Sequence, residues 1–92
     1  MIVRIYSIYD KKAAVFHKPF TNQNDVIASR EFQMACQDPK VVQLSVFPDD
    51  FDLYYLGDFD DNTGEMIQKN KPAFVVAAAS FKKLQQEMNN NG

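Results

Sequence analysis

Cysteine, histidine and glycine are scarce in this sequence, and tryptophan is absent. Its 92 residues include one cysteine, one histidine and three glycines. A lone cysteine, Cys36, excludes an intramolecular disulfide and fits a reducing compartment. With His17 and Cys36 as sole examples of their types, the usual four-ligand zinc sites are excluded. Gly57, Gly64 and Gly92 cannot make a Gly-rich phosphate loop. No apolar run approaches the roughly 18 residues of a membrane span; the longest, Ala73 to Ala79, has seven. Met1-Ile2-Val3-Arg4-Ile5 does not read as a signal peptide, because it has no basic region and its apolar stretch breaks at Arg4. No membrane association and no cofactor are expected.

What is present suits a small globular domain. Hydrophobic residues make up 46% of the chain, with eight Phe and four Tyr. A chain of this length buries only about 60–65% of its unfolded surface, so the core is modest. One domain is expected over residues 1–88, with 89–92 (Asn-Asn-Asn-Gly) as a disordered tail. The net charge is −2, but its distribution is uneven. Residues 1–48 carry a balance of +2, residues 49–65 of −7 and residues 66–92 of +3. A binder of bulk polyanion is usually basic overall, so any nucleic-acid site here must be local.

Met1 to Tyr9 reads as a strand rich in Ile, Val and Tyr. Both of its alternating sets are largely apolar, as in a central strand covered on both faces. Ala13 to Lys18 reads as its hairpin partner, stopped by Pro19. Thr21 to Asn24 reads as a loop. Asn24 is a good N-cap for a helix to about Gln37, with Asp25 at the positive end of its dipole. Ala28, Phe32, Ala35 and Cys36 share one face of that helix. Lys40 to Pro48 is ambiguous between a short strand and a covering loop. Phe51 to Phe59 is a strand, Asp60 to Gly64 a turn, and Glu65 to Lys69 a returning strand. Phe74, Ala77, Ala78, Phe81, Leu84 and Met88 repeat at helical spacing, which predicts a helix over Ala73–Met88; the β-branched pair Val75-Val76 weakens its first turn. The expected architecture is α+β: a mostly antiparallel sheet of about four strands and two helices in the order ββαββα.

Few side chains suggest chemistry. Asp58-x-Asp60-x-Asn62-x-Gly64 begins like a calcium loop, but Thr63 and Lys69 stand where that loop needs Gly and an acid. A solvated hairpin turn is the better reading, and no metal site is expected. Asp49, Asp50 and Asp52 precede or begin a strand and read as a solvated face or cap. A thiol nucleophile needs a base and a group to orient it; Cys36 on an apolar helix face reads instead as a buried structural thiol. No enzyme activity is expected.

The first hairpin is the one place where cations and rings are interleaved. Arg4, Tyr6, Tyr9, Lys11, Lys12, Phe16, His17 and Lys18 all belong to it. Single strands of nucleic acid are held by cations along the backbone and by rings that stack on bases. Arg4, Tyr9, Lys11, Lys12, His17 and Lys18 are therefore the candidate DNA-binding residues. Taken alone, the residues favour a plainer reading, with Tyr6 and Phe16 in the core and lysines decorating a solvated turn.

Several motifs occur in a distinctive order. They are Ile5-Tyr6-Ser7-Ile8-Tyr9-Asp10-Lys11-Lys12-Ala13, Pro19-Phe20, Asn24-Asp25 with Ala28-x-Arg30-x-Phe32, and Asp38-Pro39. Pro48-x-Asp50-Phe51-x-Leu53-Tyr54, Leu56-Gly57-x-Phe59-Asp60 and Thr63-Gly64 follow. Over about residues 3–83 this set resembles the small nonstructural protein of gokushoviruses, single-stranded DNA phages of the microvirus family. The resemblance implies a DNA-binding accessory of viral genome replication in the host bacterial cytoplasm. It carries no established site residues. The acidic segment 49–65 departs from a simple DNA-binding expectation. The expected partner is single-stranded DNA. The alternative is an adaptor docking on the replication initiator, a host replication factor or the procapsid. A homodimer that pairs sheet edges or covers the second face of the first strand is a further expectation.

Overall fold

A computed structural model describes residues 1–81 of the chain. Five strands form one sheet, all of whose pairings are antiparallel. β1 (Ile2–Asp10) lies centrally. Along one of its edges run β2 (Val15–Phe16) and β3 (Phe20–Asn22). β4 (Phe51–Asp60) pairs along the other, and β5 (Met66–Ala77) lies outside β4. Two helices, α1 (Asp25–Gln37) and the short α2 (Val42–Val46), fall between β3 and β4. A single 3-10 turn, Pro48–Asp50, leads into β4. The α+β class and the antiparallel sheet are those the sequence predicts. Among the described residues no helix is long and apolar enough to cross a membrane.

α1 begins as its sequence dictates. The Asn24 side chain accepts a hydrogen bond from the backbone N–H of Ile27 at 3.0 Å, satisfying one free donor of the first turn. Asp25 adds a negative charge where the dipole favours it. Ala28, Phe32 and Cys36, four residues apart, form the buried stripe. They pack on Tyr6, Leu53, Tyr55 and Phe51 of the sheet, with Leu44 and Ala78 closing the core. The helix stops at Asp38-Pro39, where proline disfavours helical backbone at the preceding residue.

Several expectations change. Ala73 to Ala77 belongs to β5, and the chain turns helical only at residues 78–81. Cross-strand pairing of Leu53 with Val76 and of Tyr54 with Phe74 supplies hydrogen bonds that override the helical spacing. The rest of the predicted helix and the tail 89–92 lie outside the described residues. β2 is two residues long, because residues 11–14 are consumed by a turn in which Ala14 takes a φ of 57°. Thr21 and Asn22, read as part of a loop, instead join Phe20 in a strand on the free edge of β1. The ambiguous stretch 40–48 becomes α2 followed by the start of the 3-10 turn.

β1 is central, as predicted, but helices cover only one of its faces. By register, Arg4, Tyr6 and Ile8 look toward α1 and α2, whereas Val3, Ile5, Ser7 and Tyr9 look away. Between Ile5 and Tyr6 the register with β4 shifts and Leu56 becomes the extra residue. No described helix packs on the far face, where Ile5, Ser7 and Asp52 are buried and Phe16 and Phe74 are exposed.

Candidate nucleic-acid interface

On that far face four aromatic rings line up across four strands. Phe16 of β2 lies opposite Tyr9 of β1. Tyr54 of β4 is diagonal to Tyr9, two residues beyond its partner Asp52, and Phe74 of β5 lies opposite Tyr54. Ring centroids are 4.6 Å apart for Tyr9 and Phe16, 5.9 Å for Tyr9 and Tyr54, and 6.0 Å for Tyr54 and Phe74. Phe16 also meets Tyr54 edge-on at 5.7 Å. Such tilted and edge-to-face contacts hold rings in fixed orientations. None of the four belongs to the core cluster. Phe16 is 40% exposed and Phe74 58% exposed, with Tyr9 and Tyr54 half-buried between them. Beyond the row, Ile5, Pro19, Phe20, Thr21, Phe59 and Met66 line an apolar depression.

The six residues singled out in sequence are divided by this geometry. Tyr9 lies in the aromatic row. Lys11, in the turn after β1, places its Nζ 3.6 Å from Asp52 Oδ1, beside Tyr9 on the same face. Lys12 is exposed at that end of the sheet, where the carboxylate of Asp10 accepts the backbone N–H of Lys12 and of Ala13, and Lys18 is exposed between β2 and β3, beside the middle of β1. His17 alternates to the helix side, its ring edge-on to Phe51 at 5.7 Å. Arg4 is also on the helix side. Its Nε is 3.2 Å from Asp25 Oδ1, and its guanidinium lies 3.8 Å from the centre of the Tyr55 ring. The structure thus joins Tyr9 and Lys11 to one surface and separates Arg4 and His17 from it.

Sequence reasoning missed Tyr54 and Phe74, and placed Phe16 in the core in its plainer reading. Tyr54 and Phe74 lie far from the first hairpin in sequence, and only strand register brings them beside Tyr9. The signal for Phe74 was the Val75-Val76 pair, whose β-branching suits a strand. Tyr6 is core as predicted, with its hydroxyl donating to Asp25 at 2.6 Å. Burial, and then that hydrogen bond to a carboxylate, raise the pKa of the Tyr6 phenol.

The acids of residues 49–65 do not form one cluster. Asp49, Asp50 and Asp52 sit at the Lys11 end, where Asp50 O accepts the backbone N–H of Lys11. Asp60, Asp61 and Glu65 lie around the β4–β5 turn, near the start of β1. Asp58 accepts the Tyr55 hydroxyl, Asp60 caps its own turn through the N–H of Asn62, and Asp61 accepts the N-terminal amine. These carboxylates are thus engaged by protein donors. Gly64, with a φ of 78°, supplies the left-handed residue that the turn signal requires. Among the described residues no group of His, Cys, Asp and Glu side chains is arranged to hold a metal ion.

A family model described as Phage ORF5 protein matches residues 3–81 of the chain. No curated protein and no solved structure matches it.

Proposed function

From the premise that the chain belongs to the phage ORF5 protein family, we propose that it is a non-enzymatic accessory of viral DNA replication that binds single-stranded DNA on the far face of its sheet. The observation that carries this reading is the row Phe16, Tyr9, Tyr54 and Phe74, partly exposed and free of helical cover among the described residues. Bases of a single strand offer their faces to such rings, whereas a duplex keeps them stacked inside. Lys11 and Lys12 at one end of the row, with Lys18 beside the middle of β1, are the cations that would meet phosphates. The gokushovirus resemblance supports this setting, with the host bacterial cytoplasm as the proposed site of action. The acids beside Lys11 keep the electrostatic part small, so stacking supplies most of the affinity.

An adaptor role is the second reading. It is favoured by the exposed apolar residues Val42, Val46 and Phe47 on and after α2, a patch of the kind that marks protein contacts. The test is a titration of a short labelled single strand and of its duplex at low and at physiological salt. The proposal expects clear preference for the single strand and a shallow salt dependence, with a slope of roughly 0.7 per phosphate contact. No binding of the single strand at low salt sinks the DNA reading and leaves the adaptor.

A further inference from the structure

Asp52 is a carboxylate among the rings. It lies opposite Tyr9 on β1 and Ala77 on β5, and two residues before Tyr54 on the same side of β4. It is only 7% exposed. Its Oδ1 is shielded from water and receives no hydrogen bond from any described residue. Lys11 Nζ, 3.6 Å away, is beyond hydrogen-bond distance. A buried carboxylate oxygen without a donor is costly to the protein. A ligand that brings a donor to it recovers that cost on binding.

Resting on the single-strand reading above, we infer that Asp52 gives the platform a base preference, accepting a hydrogen bond from the exocyclic amine of a cytosine stacked beside Tyr9 and Tyr54 and rejecting thymine. Cytosine presents an N4 amino donor, and an acidic side chain is its natural acceptor. Thymine presents the O4 carbonyl at the same place, so two acceptors would face each other. The two bases have the same ring size, and stacking alone distinguishes them little. On the β5 side Asp52 faces only the methyl group of Ala77, which offers no donor. The Lys11 side chain is about half exposed, at 47%, and flexible. By turning to a backbone phosphate it uncovers Oδ1 as the strand arrives, so one cation serves the free and the bound state.

The experiment compares oligo(dC) with oligo(dT) of equal length, above neutral pH so that cytosine is unprotonated. Wild type, Asp52→Asn and Lys11→Met are titrated, and folding is checked by circular dichroism. Wild type should bind oligo(dC) about five- to tenfold more tightly, the scale of a base-edge hydrogen bond. Asp52→Asn offers both a donor and an acceptor, so the ratio should fall to about one. Lys11→Met should weaken both oligonucleotides and keep the ratio. Equal affinities in wild type overturn the inference without any variant, while leaving the single-strand reading standing. A cytosine preference that survives in folded Asp52→Asn also overturns it. Failure of wild type to bind either oligonucleotide sinks the single-strand reading itself.

Discussion

Ala14 holds a φ of 57° in the turn between β1 and β2, a conformation that strains any residue with a Cβ. Ala14→Gly should therefore stabilise the protein by about 0.5–1 kcal/mol, read as a higher midpoint in urea. Gly57 is the opposite case. A Cβ there would lie 2.4 Å from the Ile67 carbonyl oxygen and 3.2 Å from the Gln68 Cα, both backbone atoms of β5. Gly57→Ala must push the two strands apart and should cost about 1–3 kcal/mol in the same assay. Burial pushes the Cys36 thiol up to about 11, so the native protein should react slowly with a thiol reagent at neutral pH, and rapid labelling would contradict its buried place. The Tyr55 phenol is raised too, first by its hydrogen bond to Asp58 and then by burial. Tyr6, Tyr55 and Cys36 thus hold their protons more tightly when folded. Unfolding releases those protons at high pH, so their contribution is complete below pH ~9 and is lost as pH rises through the raised values. Denaturant midpoints should be flat in this respect near neutrality and fall in the alkaline range.

At the scale of elements, much of the fold was legible, and the exceptions have physical causes. β1, α1 and β4 carry strong local signals: β-rich sequence, an Asn cap with an apolar stripe, and a turn closed by Gly64. The stretch Ala73–Ala77 carried two patterns at once. Phe74 and Ala77 fall at helical spacing with Ala78 and Phe81, and the Val75-Val76 pair favours a strand. Pairing with β4 decides for the strand, a tertiary effect that no local window contains. Pro72 is tolerated because β5 is at the sheet edge, where a missing N–H need not break a ladder. Backbone chemical shifts of residues 73–77 should be those of extended chain, and helical shifts there would refute the pairing of Tyr54 with Phe74 on which the aromatic row depends. The candidate site was half legible for the same reason. Tyr9 and Lys11 are close in sequence, whereas Tyr54 and Phe74 join them only through register. Arg4 and His17 were in the right hairpin on the wrong face, since strand alternation decides a side chain's destination.

At the scale of the molecule, the acidic segment is divided between the two ends of the sheet. The β4–β5 turn and the Lys11 turn lie at opposite ends of β1, nine residues long, hence roughly 26 Å apart by strand rise. Charges that far apart on the surface are separated by about three Debye lengths at physiological salt. Asp60, Asp61 and Glu65 therefore repel a strand bound near Tyr9 only weakly, while Asp52 is faced by Lys11. On the proposed reading, the platform binds chiefly through its rings. The direct test is the affinity of a mixed-sequence single strand for wild type and for the double variant Phe16→Ala/Phe74→Ala, whose folding is verified by circular dichroism. Both rings are substantially exposed, at 40% and 58%, so the fold should survive their loss. Each stacked base is worth about 1–3 kcal/mol, and the double variant should bind at least about tenfold more weakly. Unchanged affinity in the folded double variant would contradict the account.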